Sequence, residues 1–294
     1  MGTRVIRRNQ NRNRIKIIIL IMMLFAGILL TTYIVTAIWV NTEPSEEFTG
    51  MEKHISKYAH ISIDDATQIF QDINFHGYDS IFDNEIMACL QDLHEKYELK
   101  VTLYVFGELD TFTLEDFPDS YQDEFQANAD WLKIGFHSIS ESSPEDMELS
   151  DFINGFEKVN ETIDRIAGKD SLAHVLRLHY WYATDEMVQA LAQRGVTGLL
   201  CGDNGETSYH LTDKQMKNLQ LSRDGKITTG IQYYMTDIRL EKTENVETVL
   251  MNRKNDRILV VFTHAWVFSE NQDKMKKTVK WLHEHGYEFS FLED

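Results

Sequence analysis

Cysteine and proline are scarce in this 294-residue chain, with two of the former and three of the latter. Cys89 and Cys201 allow one bridge at most, so a disulfide scaffold is excluded. Two buried free thiols are expected, with a single extracytoplasmic bridge as the alternative. So few prolines exclude a long Pro-rich linker. No internal repeat or low-complexity segment is visible. Acids are missing from the first 16 residues, which carry Arg4, Arg7, Arg8, Arg12, Arg14 and Lys16. The net charge is −18, so the remainder holds −24. A body this acidic repels phosphate backbones at long range, which argues against a nucleic-acid partner. Apolar residues at 43% and charged residues at 26% fit a folded globular protein.

Charge is also absent from residues 17–40, IIILIMMLFAGILLTTYIVTAIWV. A helix rising about 1.5 Å per residue over this length spans a ~30 Å hydrocarbon core with some tilt. Tyr33 and Trp39 lie near its distal end, where amphipathic rings favour the interface. The competing reading is a cleaved signal peptide, but such a peptide has a shorter apolar core ending in small residues. Here the weak site Val35-Thr36-Ala37 lies inside the run. Basic residues before the span stay cytoplasmic. The expected organisation is therefore a cytoplasmic tail over 1–16, a transmembrane helix over 17–40, a polar tether over 41–57 and one domain over 58–294. This makes a single-pass cell-membrane protein with its domain on the extracytoplasmic side.

Within 58–294, short apolar runs alternate with longer amphipathic stretches. The predicted strands are His60–Asp65, Val101–Gly107, Leu132–Ser138, His174–Tyr180, Thr197–Asp203, Ile258–Trp266 and Tyr287–Leu292. Helical spacing is clear for Ile86, Leu90 and Leu93, and again for Phe152, Phe156, Val159, Ile163 and Ile166. It recurs for Met187, Leu191 and Val196, and for Met275, Val279 and Leu282 before Gly286. Leu221–Leu240 contains Asp224-Gly225 and reads as a β-hairpin excursion. Alternating strands and helices imply a mainly parallel sheet covered by helices, either closed or open. In both cases functional groups gather at the C-terminal ends of the strands.

Polar residues fall at those ends. The first strand ends in Asp64-Asp65 and the third in His137-Ser138. The fourth ends in Arg177, His179 and Tyr180, the fifth in Asp203, and the strand before the last helix in His264 and Trp266. Taken singly, an Asp pair is often a turn or cap, a histidine a satisfied core residue, and Arg177 an ion-pair partner. Taken together, five strands delivering carboxylates or imidazoles to one rim point to a site. His54, His76, His94, His174, His210, His283 and His285 lack such placement and read as surface or structural. Imidazole and carboxylate groups suit Zn²⁺ or a similar divalent ion.

The order of these residues resembles the polysaccharide deacetylases, which hydrolyse acetyl groups on chitin-type sugars, peptidoglycan and related glycans. The family's T-F-D-D-G motif is similar to Ser62-Ile63-Asp64-Asp65-Ala66, and its A-T-F-F-V strand to Val101-Thr102-Leu103-Tyr104-Val105. Its H-S/T-x-x-H motif resembles His137-Ser138-Ile139-Ser140-Glu141. Its R-x-P-Y resembles Arg177-Leu178-His179-Tyr180, and its L-x-H resembles Phe262-Thr263-His264. The resemblance runs from about residue 58 to the end.

It implies a distorted (β/α)7 barrel and a divalent metal, zinc in the first place, with cobalt, nickel or manganese as substitutes. By the same likeness Asp64 is the general base, Asp65 and His137 are metal ligands and Arg177 orients the base. The Tyr180 backbone N–H stabilises the oxyanion and His264 is the general acid. The chain departs from the family at Glu141, where the second metal histidine belongs, at His179 in place of proline, and at Ala66 in place of glycine. Glu141 through oxygen and His179 through nitrogen are the two alternatives for the third ligand. A third alternative is a degenerate site that only binds glycan. Trp181, Tyr182 and Trp266 suit either sugar stacking or packing. The expected function is therefore a membrane-anchored, metal-dependent glycan deacetylase. The alternatives are a non-catalytic glycan-binding or envelope-interaction module on the same fold, and a different metal-dependent hydrolase using His137 and His179.

Overall fold

Along KYAHISID, apolar and polar side chains alternate, which sorts them onto the two faces of a strand. Ala59, Ile61 and Ile63 face the helices, while His60, Ser62 and Asp64 are also buried but point toward the opposite wall. A strand buried on both faces belongs to the centre of a parallel sheet. The computed structural model describes residues 56–203, 207–226 and 230–293. The basic tail, the membrane helix and nearly all of the tether expected over residues 1–57 lie outside the described residues. Among the described residues no helix is long and apolar enough to cross a membrane.

The domain opens with β1 (Lys57–Asp64), α1 (Thr67–His76), α2 (Glu85–Tyr97) and β2 (Val101–Phe106). The short pair β3 (Glu108–Leu109) and β4 (Phe112–Thr113) follows, then α3 (Gln122–Ala127), β5 (Leu132–Ser138), α4 (Leu149–Ala167) and β6 (Val175–Leu176). Next come α5 (Asp185–Ala192), β7 (Gly198–Leu200), α6 (Asp213–Ser222), β8 (Asp224–Lys226), β9 (Gln232–Tyr234) and β10 (Ile238–Arg239). The chain finishes with α7 (Val246–Asn252), β11 (Ile258–His264), α8 (Phe268–Glu284) and β12 (Tyr287–Phe289).

Helix starts are set by local chemistry. Asn84 accepts from the backbone N–H groups of Ile86 and Met87 at the head of α2, and Thr212 and Gln215 form a capping box at α6. The amphipathic spacing of α4 buries Phe152, Phe156, Val159, Ile163 and Ile166, as expected.

One sheet runs β10-β11-β1-β2-β5 and a second runs β6-β7-β9-β8. All neighbours are parallel except β8 against β9. The two sheets meet at two seams. At one, Ile134 of β5 bridges Leu172, and the Ala173 N–H donates to the Ile134 carbonyl. At the other, the chain passes from β9 to β10 within a few residues, so one kinked stave pairs with β7 below and β11 above. The parallel staves thus follow one another around a ring. The result is a mixed α/β fold with parallel strands that points the strand C-termini to one rim.

Three sequence expectations change. The fourth predicted strand, His174–Tyr180, shrinks to β6, because the chain turns at His179–Trp181. Tyr287–Leu292 is not a full stave. Its short β12 pairs with Lys57–Ala59, below the stretch of β1 that pairs with β2. Leu221–Leu240 is more than an excursion. The β8–β9 hairpin exists, but Asp224 and Gly225 lie within β8, and β9 with β10 supplies wall of the ring. The physical reason is Asp237, whose N–H donates to the Val260 carbonyl and whose carboxylate accepts the Val260 N–H, docking the kink onto β11. Cys89 and Cys201 are both buried and free.

Candidate metal and acid–base centre

The adjacent acids Asp64 and Asp65 serve different places because the backbone turns between them. Asp64 ends β1 in extended geometry, whereas Asp65 has φ 55°, a left-handed conformation that Asp tolerates better than most residues. Asp64 points inward and is 2% exposed; Asp65 points along the rim.

Inside the ring Asp64 Oδ2 lies 3.2 Å from Arg177 Nε. The guanidinium is fully buried, sits over the Phe262 ring at 4.1 Å and donates from Nη1 to Thr236 Oγ1 at 2.8 Å. Burial pushes the Asp64 pKa above its ordinary value, and the Arg177 charge offsets that only in part. Asp64 Oδ1 and Arg177 Nη2 have no hydrogen-bond partner among the described residues. A buried carboxylate with one free oxygen and a raised pKa has the properties of a proton acceptor.

At the rim, His137 from the end of β5 lies 2.6 Å through Nδ1 from the Arg177 carbonyl oxygen. A carbonyl only accepts, so Nδ1 carries the proton and Nε2 is left facing the site. His179, on the turn after β6, lies 3.2 Å through Nε2 from the Glu141 carbonyl, so its Nδ1 is the free nitrogen. These two free nitrogens stand 3.2 Å apart, and Asp65 Oδ1 lies 3.4 Å from His137 Nε2. The three donor atoms lie within 4.8 Å of one another. Two imidazole lone pairs facing each other beside a carboxylate repel unless a proton or a cation stands between them.

The electrostatics follow from this crowding. Burial works against charge on His137, but the Asp65 hydrogen bond and the Asp64 and Asp65 charges prevail and raise its pKa. Burial and the His137 charge lower His179 to about 4. Asp65 falls to about 2, its burial outweighed by the His137 hydrogen bond and the nearby imidazoles. Both histidines donate their one N–H to a backbone carbonyl, the arrangement that fixes ligand tautomers around a metal. Oxygen and nitrogen donors in this number suit a zinc-like ion with an open position.

Across the rim, His264 ends β11 and its Nδ1 lies 2.5 Å from Glu241 Oε1. Glu241 also takes Arg239 Nε at 2.6 Å and the Thr263 hydroxyl at 3.1 Å. Burial alone would raise the Glu241 pKa, but the His264 hydrogen bond leads a set of contacts that lower it to about 2. Trp266, two residues on, donates its indole N–H to Asp65 Oδ2 at 3.0 Å.

The structure therefore brings Asp64, Asp65, His137, Arg177, His179 and His264 to one rim. Glu141 stands apart. Its carboxylate is exposed, and only its backbone carbonyl reaches the cluster, through His179. Tyr180 has φ 54° and an exposed ring, 4.2 Å from that of His179. Glu241, Thr236 and the indole N–H of Trp266 are contributors that sequence reasoning missed. Glu241 and Thr236 follow β10 and β9, and reading that stretch as wall rather than excursion would have placed both at a strand end.

No family model matches the sequence, and no curated protein is similar enough to match. Solved structures do match. The chain is similar to 4-alpha-glucanotransferase from Thermococcus litoralis, with 13% identity and a TM-score of 0.53 over 80% of this chain. The match spans 39% of that enzyme, well under half its length. The Xyl-CE4 domain of a multidomain xylanase from the hindgut metagenome of Trinervitermes trinervoides is 12% identical, with a TM-score of 0.45 over 80% of this chain and 87% of that domain. A CE4 esterase of Streptococcus mutans is 13% identical, with a TM-score of 0.44 over 80% of this chain and 85% of that one. At these identities the likeness is one of fold.

Proposed function

We propose that this chain is a membrane-anchored, extracytoplasmic, metal-dependent hydrolase that removes acetyl groups from cell-surface or cell-wall glycans. The observation that carries the reading is the pair of mutually facing imidazole nitrogens beside Asp65 Oδ1, with Asp64 and His264 paired in register at the adjoining ends of β1 and β11. Asp65, His137 and His179 would hold a divalent ion, zinc first. Such an ion supplies Lewis-acid polarisation of an acyl carbonyl. Asp64 takes the proton of the attacking water, because burial raises its basicity while Arg177 keeps it aimed. His264 delivers a proton to the departing sugar nitrogen or oxygen, and Glu241 fixes the ring for that transfer. The Tyr180 N–H, on the turn beside His179, is the proposed donor to the developing oxyanion. The sequence resemblance supplies the substrate class, and the apolar run over residues 17–40 supplies the anchor.

The test uses full-length protein in detergent micelles. Zinc bound at one equivalent, and acetate released from acetylated chitin oligomers or peptidoglycan in a chelator-sensitive way, are the expected results. Protein that takes up no zinc after reconstitution contradicts the reading. The exposed Glu141, standing where the resemblance calls for a metal histidine, favours a second reading, a glycan-binding module without turnover. Glycan binding indifferent to chelator, with no acetate released, would identify that state.

A further inference from the structure

Trp266 lies 201 positions after Asp65 in sequence, yet its indole N–H reaches Asp65 Oδ2 at 3.0 Å. Little packing compels this. The side chain is 56% exposed and walls an open cleft of about 410 Å³, together with Gln68, Asp72, Tyr78 and Gln272. Its ring lies 5.5 Å from that of His264, so it stands between the two halves of the rim. The consequence falls on Asp65. One carboxylate oxygen is occupied by the indole, while Oδ1 faces His137 Nε2 at 3.4 Å. A carboxylate clamped through one oxygen offers a single donor atom, in a fixed direction, to whatever the cluster binds.

We propose that Trp266 is a positioning residue for the metal. Its N–H holds Asp65 as a one-oxygen ligand, and so sets the affinity and coordination number of the Asp65–His137–His179 site. This inference rests on the reading of those three residues as ligands. It differs from a sugar-stacking role, which needs the ring and not the N–H.

The test compares full-length wild-type protein with Trp266→Phe, which keeps an aromatic wall for the cleft and removes only the donor. Because the indole is exposed, the variant should melt within about 2 °C of wild type, in line with a surface substitution. Zinc affinity, read by competition with a chelating dye, is expected to fall roughly 10- to 100-fold. The visible bands of the cobalt-substituted variant should weaken as the freed Oδ2 joins the coordination sphere. Equal zinc affinity in the two proteins overturns the proposal. A lower affinity with an unchanged cobalt spectrum also overturns it, because the loss would then not arise at Asp65. Wild-type protein that takes up no zinc sinks the underlying reading and this one together. Normal uptake with an unaffected variant sinks this one alone.

Discussion

Two acid–imidazole groups face each other across the rim, and they are wired differently. In one, Glu241 and His264 share a short contact, and Arg239 and Thr263 fill the remaining carboxylate sites. In the other, His137 and His179 spend their N–H groups on backbone carbonyls and turn free nitrogens toward each other and toward Asp65 Oδ1. The first group is complete as it stands. The second is settled only by a proton or a cation held between its free nitrogens. Both contain histidine and carboxylate at strand ends, so residue type alone does not separate a ligand set from a proton-transfer pair. The partner of the second nitrogen on each ring does.

The comparison can be broken most sharply at the histidines. His137→Ala should abolish stoichiometric zinc binding and acetate release together. His264→Ala should leave zinc affinity within a few-fold of wild type and lower acetate release by roughly 10²- to 10⁴-fold, the range for a lost general acid. Metal analysis and acetate assays on the same preparations read both effects. Equal loss of zinc in the two variants would remove the distinction.

A finer cut separates His179 from Glu141. His179→Ala should weaken zinc by at least about 100-fold, the loss of a direct ligand exceeding that of an outer-shell partner. Glu141→Gln should leave affinity unchanged, because the carboxylate is exposed and the chain carbonyl that His179 contacts is retained. Dye competition measures both.

The smallest effect concerns acid stability of the completed pair. The Glu241 pKa is lowered from 4.5 to about 2 in the folded protein. A depressed carboxylate pKa contributes stability that is present above the unfolded value and is lost as pH falls through the folded value. The stability advantage of wild type over Glu241→Gln should therefore be full above pH 4.5 and vanish toward pH 2, with a span on the order of 2 kcal/mol. Denaturant unfolding at several pH values checks it, and parallel curves for the two proteins would contradict it.

The sequence made long apolar strands legible and short or broken ones obscure. β1, β2, β5 and β11 stand where continuous runs predict them, and with them Asp64, Asp65, His137 and His264. The sequence predicts a longer β6 than forms, because Tyr180 and Trp181 adopt positive φ, which their bulky side chains give no reason to expect. That same turn carries His179 to His137, so the choice between His179 and Glu141 was hidden with it. The β9–β10 stave reads as an excursion in the sequence because Asp224-Gly225 signals a tight turn, and nothing in the spacing shows that Asp237 docks the stretch as wall. Only the structure shows this acid docking on Val260 and on Arg223 and Arg253. Glu241, at the end of that stave, is illegible for the same reason. Trp266 stands out in the sequence as an aromatic near the rim, but its N–H bond to Asp65 depends on a contact between β1 and the end of β11 that no spacing reveals.

X-ray absorption at the zinc edge on reconstituted full-length protein tests the central claim most directly. The account predicts two imidazole nitrogens and carboxylate oxygen at about 2.0–2.2 Å, with one imidazole contribution lost in His179→Ala. A spectrum showing a single imidazole, unchanged in that variant, would contradict it.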